Sequence, residues 1–197
     1  MDPKELISIL RVAERLKCNT RHSDTSSGRR ESVAEHSWRL ALMALLLEDE
    51  YPQLDMNKVI KMCLIHDLGE AFTGDIAAFD KTDADVEKED AAFDRWVAGF
   101  PVVQREQFAA LLAEMNALET EEAKLYKALD KMEAVIQHNE ADLSSWLPLE
   151  YELQLVYGAE EVQFSEYTRR LKAEIDTWTK QKIEEEGKEY ATQTFDL

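Results

Sequence analysis

Apolar side chains recur along most of this chain at intervals of three and four residues, and no stretch alternates with the two-residue period of a strand. That pattern predicts helices almost throughout. Asp2 and Pro3 make an N-cap and a first helical residue, and Leu6, Ile7, Leu10, Ala13 and Leu16 follow as one stripe. The stripe stops at Asn19, and NTRHSDTSSGRR, as far as Arg30, reads as a polar loop around Gly28. Ser32 and Glu35 form the S-x-x-E of a capping box, so a second helix is expected from about Val33, with Leu40, Met43, Ala44 and Leu47 on its apolar face.

A turn at Pro52 to Asp55 leads into a third helix through Val59, Ile60, Cys63 and Leu64, which ends near His66 and Asp67. The acidic run from Lys81 to Asp94 reads as a solvated helix face, anchored by Phe93, Trp96, Val97 and Phe100. Pro101 opens a helix with Val103, Leu111, Leu112 and Met115 as core candidates, and Thr120 caps the next, which runs to about Asn139. A short helix around Leu149 to Tyr157 ends at Gly158, and a long final one carries Phe164, Tyr167, Leu171, Ile175 and Trp178. Beyond Lys182 the period fades. Residues 1–182 are therefore expected to form one domain, and residues 183–197 a polar, flexible tail.

Composition narrows the partners. The 197 residues suit one domain, and 45% of them are apolar, enough for a sizeable core. Asp and Glu outnumber Lys and Arg 41 to 23, a formal charge of −18 that repels nucleic-acid polymers and anionic membranes. A small phosphorylated substrate stays open, provided a metal or a local basic cluster reverses the field. Cys18 and Cys63 make no disulfide framework and fit a reducing compartment. MDPKELISIL does not read as a signal peptide, and the apolar run Leu40 to Leu47 is far shorter than the roughly 20 residues of a membrane span. A cytoplasmic protein is expected.

Four residues carry the candidate chemistry: His36 in the second helix, the adjacent His66 and Asp67 ending the third, and Asp130 in YKALDKMEA. A single histidine or aspartate on a helix is more often an ordinary core or surface residue. The dyad says more, because it follows the apolar run CLI and is drawn inward. An ionised aspartate buried there is costly unless a cation or donors compensate. Two imidazoles and two carboxylates suit Mn, Fe, Co, Ni, Zn or Mg. Cys63 and His66 form a C-x-x-H, but no second cysteine pair completes a zinc site, so Cys63 reads as a small core residue.

EHSWRLALMA, IHDLGE and ALDKMEA resemble the H…HD…D signature of the HD superfamily, in the same order and at similar spacings of about 30 and about 60 residues. The resemblance covers roughly Leu6 to Leu171. It implies an all-α fold, a single HD-domain helical bundle, in which His36, His66, Asp67 and Asp130 hold a divalent metal ion for phosphohydrolase chemistry.

A narrower likeness follows. IHDLGEAFTGDI is similar to the corresponding run of HD-type 5'-deoxynucleotidases, which implies catalytic roles for Glu70 and Asp75. One would orient the attacking water and the other protonate the leaving alkoxide, and the sequence does not say which. RLKCNTRHS places Arg21 where those enzymes carry a substrate-binding arginine. They carry a tryptophan shortly after it, where this chain has His22, Ser23 and Asp24, so base and sugar preference stay open. Arg21, Arg29, Arg30 and Lys81 make a basic cluster able to draw in phosphate. Glu133 and Gln137 share the helix face of Asp130 and are candidate pocket residues. Such relatives often form homodimers, and the apolar side chains of the last helix, with Trp146, are the expected interface. The expected reaction is hydrolysis of a phosphomonoester, a (deoxy)nucleoside 5'-monophosphate with the 5'-deoxynucleotide as first choice, to nucleoside and phosphate. The alternatives are another phosphoester, such as guanosine tetraphosphate or a cyclic nucleotide, and a helical interaction module with a structural metal.

Overall fold

A computed structural model of the chain describes the backbone of residues 1–193 and the side chains of residues 1–185. The chain divides into two compact units, one of residues 1–22 and 30–126, the other of residues 23–29 and those from 127 on.

The first unit begins with α1 (Pro3–Ala13), which Asp2 and Glu5 start with a reciprocal capping box. The apolar stripe of α1 does not face the core. Leu6, Ile7 and Leu10 stay exposed, no residue of α1 is buried, and the first buried side chain is Leu16 in the 3-10 turn that follows. The polar loop expected next is in part a hairpin, β1 (Thr20–Asp24) paired with β2 (Arg30–Ser32). Its strands are too short and too polar to leave a two-residue signature. β1 reads TRHSD and buries only Ser23.

Ser32 then opens α2 (Val33–Leu46) as expected. Its hydroxyl accepts the Glu35 amide at 3.2 Å, and the Glu35 carboxylate accepts the Ser32 amide at 2.9 Å. Since His36 sits one turn into this helix, Ser32→Ala is expected to lower unfolding stability by about 1 kcal/mol. Chemical denaturation measures it. The inner face of α2 buries Val33, His36, Leu40 and Ala44 against α3 (Met56–Ile65), while Trp38, Leu42, Leu45 and Leu46 stay exposed on the outer face. The one-turn α4 (Glu70–Thr73) packs on α5 (Asp83–Val97), and α6 (Val102–Ala117) packs on both α3 and α5. An aromatic cluster of Phe72, Phe93, Trp96, Phe100 and Phe108 closes this end.

α7 (Glu121–Glu140) begins in the first unit and continues into the second. There Gln137 donates to the Asp24 carbonyl at 2.7 Å, and the buried Asn139 amide meets the Thr179 hydroxyl at 2.9 Å. α8 (Glu150–Val156) and α9 (Glu166–Gln193) complete the unit around Leu143, Trp146, Val162 and Ile175. α9 carries on past Lys182, so the stretch 183–193, expected as a tail, is helical. Residues 194–197 of the expected tail lie outside the described residues. No helix among the described residues is long and apolar enough to cross a membrane.

Candidate active site

Two helices of the first unit deliver three of the candidate ligands to one point. α2 brings His36, fully buried. α3 ends at Ile65, and His66 is its C-cap residue, so Asp67 leaves the helix beside the His36 ring. The Nε2 atoms of His36 and His66 stand 3.2 Å apart, and Asp67 Oδ2 lies 3.0 Å from His66 Nε2 and 3.9 Å from His36 Nε2. His66 Nδ1 is 2.9 Å from the Cys63 carbonyl. A carbonyl only accepts, so Nδ1 carries the ring proton and donates it there. With Nδ1 so engaged, a neutral His66 would present its Nε2 lone pair to the other two groups, the usual arrangement of a ligating histidine. Lone pairs from two imidazoles and a carboxylate repel one another unless a positive charge sits among them. The donor set is mixed nitrogen and oxygen, its atoms fall within 4.8 Å of one another, and it fits a divalent cation. Burial alone would raise the Asp67 carboxyl; in the metal-free site the charge and hydrogen bond of a protonated His66, then His36 and Arg21, outweigh it and hold the group well below the usual carboxylate range.

Glu70 begins α4 three residues on. It is only 3% exposed. Its backbone carbonyl accepts the Asn19 side-chain amide at 2.6 Å. Its Oε1 is 3.8 Å from Lys81 Nζ, and its Oε2 is buried with no hydrogen-bond partner among the described residues. Burial, with the charges of Asp67, Asp75 and Glu89, pushes Glu70 up to about 10. Gly74 follows at φ 77°, in the left-handed region, with open space where a Cβ would stand. Glycine is needed there for the turn and not for room. The turn returns Asp75 to the neighbourhood of Arg21, Asp67, Lys81 and His36, where burial raises its pKa against the pull of Arg21.

The cations are already engaged. Arg21 Nε lies 3.3 Å from Glu31, and its guanidinium donates to Asp67 at 3.4 Å. Lys81 Nζ lies 2.6 Å from Glu89. With Glu31 and Glu89 offset in this way, the carboxyls of Asp67, Glu70 and Asp75 crowd one place, and a divalent ion there would offset the charge of those that ionise.

Arg30 is exposed at the start of β2, on the opposite strand face from the buried Glu31. Arg29 is exposed and, like Asp130, belongs to the second unit. There Asp130 accepts a 2.8 Å hydrogen bond from Lys127 one turn earlier, and Glu133 is fully buried on the same helix. Sequence reasoning missed Asn19, Glu31 and Glu89. Glu31 carried one signal, an acid directly before a capping serine. Glu89 was hidden in a run of acids that otherwise faces solvent.

Comparison with known proteins supports the reading of these motifs. The model of the HD domain family matches residues 13–172. The 5'-deoxynucleotidase HDDC2 of Homo sapiens is 31% identical over 114 residues, which are 57% of this chain and 55% of that protein. Its counterpart in Xenopus laevis is 35% identical over 109 residues, 54% of this chain and 53% of that one. The chain thus matches about half the length of these curated relatives. A predicted metal-dependent phosphohydrolase from Magnetospirillum magnetotacticum MS-1, known from its crystal structure, aligns with a TM-score of 0.76 at 28% identity, covering 92% of each chain. The PH0347 protein of Pyrococcus horikoshii OT3 shares the fold, with a TM-score of 0.70 at 23% identity over 87% of this chain and 99% of that one. An all-α chain with this match over most of its length, and with H and HD meeting at one point, belongs to the HD domain family.

Proposed function

We propose that this chain is a divalent-metal-dependent phosphohydrolase that converts a nucleoside 5'-monophosphate, with deoxynucleotides preferred, to nucleoside and phosphate. The observation that carries this reading is the convergence of His36, His66 and Asp67 beside a buried Glu70 whose Oε2 has no hydrogen-bond partner among the described residues. The substrate class rests on the curated relatives, which are 5'-deoxynucleotidases. His36, His66 and Asp67 hold the ion, and Asp130 joins them on the strength of its ALDKMEA motif. A cation bound there polarises a phosphoryl oxygen and acidifies bound water.

The residues around it divide the remaining work. Glu70, raised in the metal-free protein by burial and by Asp67, Asp75 and Glu89, is suited to protonate the leaving 5'-oxygen. Asp75 takes the complementary task of orienting the water. Arg21 and Lys81 receive the phosphate, and Arg30 guides it from outside. Arg21→Ala is expected to reduce kcat/KM roughly 10- to 100-fold, matching the 1.5–3 kcal/mol of a charge-assisted hydrogen bond, with metal content unchanged. Steady-state kinetics and elemental analysis decide it. A phosphate-release screen over nucleotides, with each of the six candidate metals, tests the whole reading. Release only from guanosine tetraphosphate or a cyclic nucleotide would replace the substrate class, and no release from any would favour a structural metal.

Assembly and location belong to the same proposal. Cys18 and Cys63, which form no disulfide, fit the reducing cytoplasm. A homodimer is favoured by the outer face of α2, where Trp38, Leu42, Leu45 and Leu46 form an exposed apolar stripe. In the last helix, by contrast, Ile175 is buried within its own unit. Light scattering is expected to give a dimer mass for the wild type and a monomer mass for Leu46→Glu. A monomeric wild type would reject the dimer.

A further inference from the structure

The acidic helix α5 is exposed along most of its first two turns, through Asp83, Ala84, Val86, Glu87, Lys88 and Asp90. Glu89 is the exception. Its side chain is 12% exposed and turns toward Asp67 and Glu70, although burial and the Asp67 charge both disfavour its ionised form. Space has been kept for it. A Cβ on Gly69 would stand 2.7 Å from Glu89 Cγ and 3.1 Å from the Glu89 carbonyl oxygen, so the glycine between Asp67 and Glu70 is what lets this side chain pass. What it reaches is Lys81 Nζ, at 2.6 Å.

The backbone of Lys81 is fixed as well. Its amide donates to the Ala77 carbonyl at 3.0 Å, and the next residue, Thr82, is the N-cap of α5, closed by a reciprocal hydrogen bond with Asp85. The lysine stem alone remains to be restrained. Glu89 engages one edge of the ammonium and leaves it 3.8 Å from Glu70, with donors to spare. An ammonium on a flexible stem binds an anion better when it is held in place beforehand.

We propose that Glu89 is a positioning residue that holds the Lys81 ammonium at the Glu70 edge of the site, where it takes the phosphate of the substrate. This rests on the phosphohydrolase reading above. Glu89 does not touch substrate and acts only through Lys81.

The test is a double-mutant cycle with Glu89→Gln and Lys81→Met, read in two ways: KM and kcat for a deoxynucleoside monophosphate, and the Kd of inorganic phosphate by calorimetry. Each single variant is expected to raise KM and the phosphate Kd about tenfold, with kcat within about threefold and Tm and metal content unchanged. The double variant is expected to be no worse than Lys81→Met alone, because two residues acting as one unit do not add. Effects that multiply, an unchanged phosphate Kd in Glu89→Gln, or a fall in Tm without a change in KM would overturn the proposal. If the wild type releases phosphate from no nucleotide, the phosphohydrolase reading fails, and the calorimetric cycle still decides the link between Glu89 and Lys81.

Discussion

The His66→Ala variant is expected to purify without a divalent ion and to lose phosphate release by on the order of 10³-fold or more. The ring sits at the centre of the site, 3.2 Å from His36 Nε2 and 3.0 Å from Asp67 Oδ2, so its removal takes away the ligand that the other two share. A second effect accompanies the first. After burial, His66 is the largest influence on Asp67, and it acts to keep that carboxylate ionised. Without it a nearly enclosed charge retains only His36 and Arg21 nearby, and the metal-free fold is expected to weaken too. Elemental analysis of wild type and variant at equal protein concentration decides the matter. About one ion per chain in wild type and full occupancy in His66→Ala would remove His66 from the ligand set.

Glu70→Gln is expected to separate chemistry from metal binding. Turnover should fall about 10²- to 10⁴-fold, the usual range for one general acid or base, while the ion stays. Stability should move the other way. In the metal-free protein Glu70 is raised from an ordinary 4.5 to about 10 by burial and by Asp67, Asp75 and Glu89. The folded state therefore keeps a proton that the unfolded state releases above about pH 4.5, and folding stability declines as pH climbs through that window toward about 10. Glutamine imitates the protonated carboxyl without titrating. At pH 8 the metal-free Glu70→Gln protein should be more stable than wild type, and its stability should depend less on pH. Asp75→Asn should also lose turnover and keep metal. An aryl phosphate, whose leaving group needs little protonation, should restore much of the activity of Glu70→Gln and little of that of Asp75→Asn. The reverse pattern would exchange the two roles. Loss of metal from both variants would make these carboxylates ligands.

Much of this arrangement was legible in the sequence because it is local. A capping box of Ser32 and Glu35 sets the start of α2, and hence where His36 points. An apolar run into His66 and Asp67 turns the dyad inward. What escaped was contact between residues distant in sequence, or the absence of a local signature. The β1–β2 hairpin is polar and short, so the two-residue period never accumulates. Glu89 lies among acids that do face solvent, and only the empty space over Gly69, twenty residues earlier, distinguishes it. The stripe of α1 shows the converse limit. Periodicity identified an amphipathic helix correctly, yet nothing local says whether a core waits on its apolar side.

The hydrogen bond from His66 Nδ1 to the Cys63 carbonyl has a bearing on how the site tolerates mutation. The acceptor belongs to the main chain, one helical turn before the ring it orients. No replacement of the Cys63 side chain can delete it, and any residue that keeps α3 helical and fits the buried position supplies the same oxygen. The most exacting geometric requirement at this histidine is therefore carried by an atom that every amino acid possesses. Drift in the surrounding core can be absorbed without re-aiming the imidazole, and the site's robustness resides in the helix and not in a second specialised side chain.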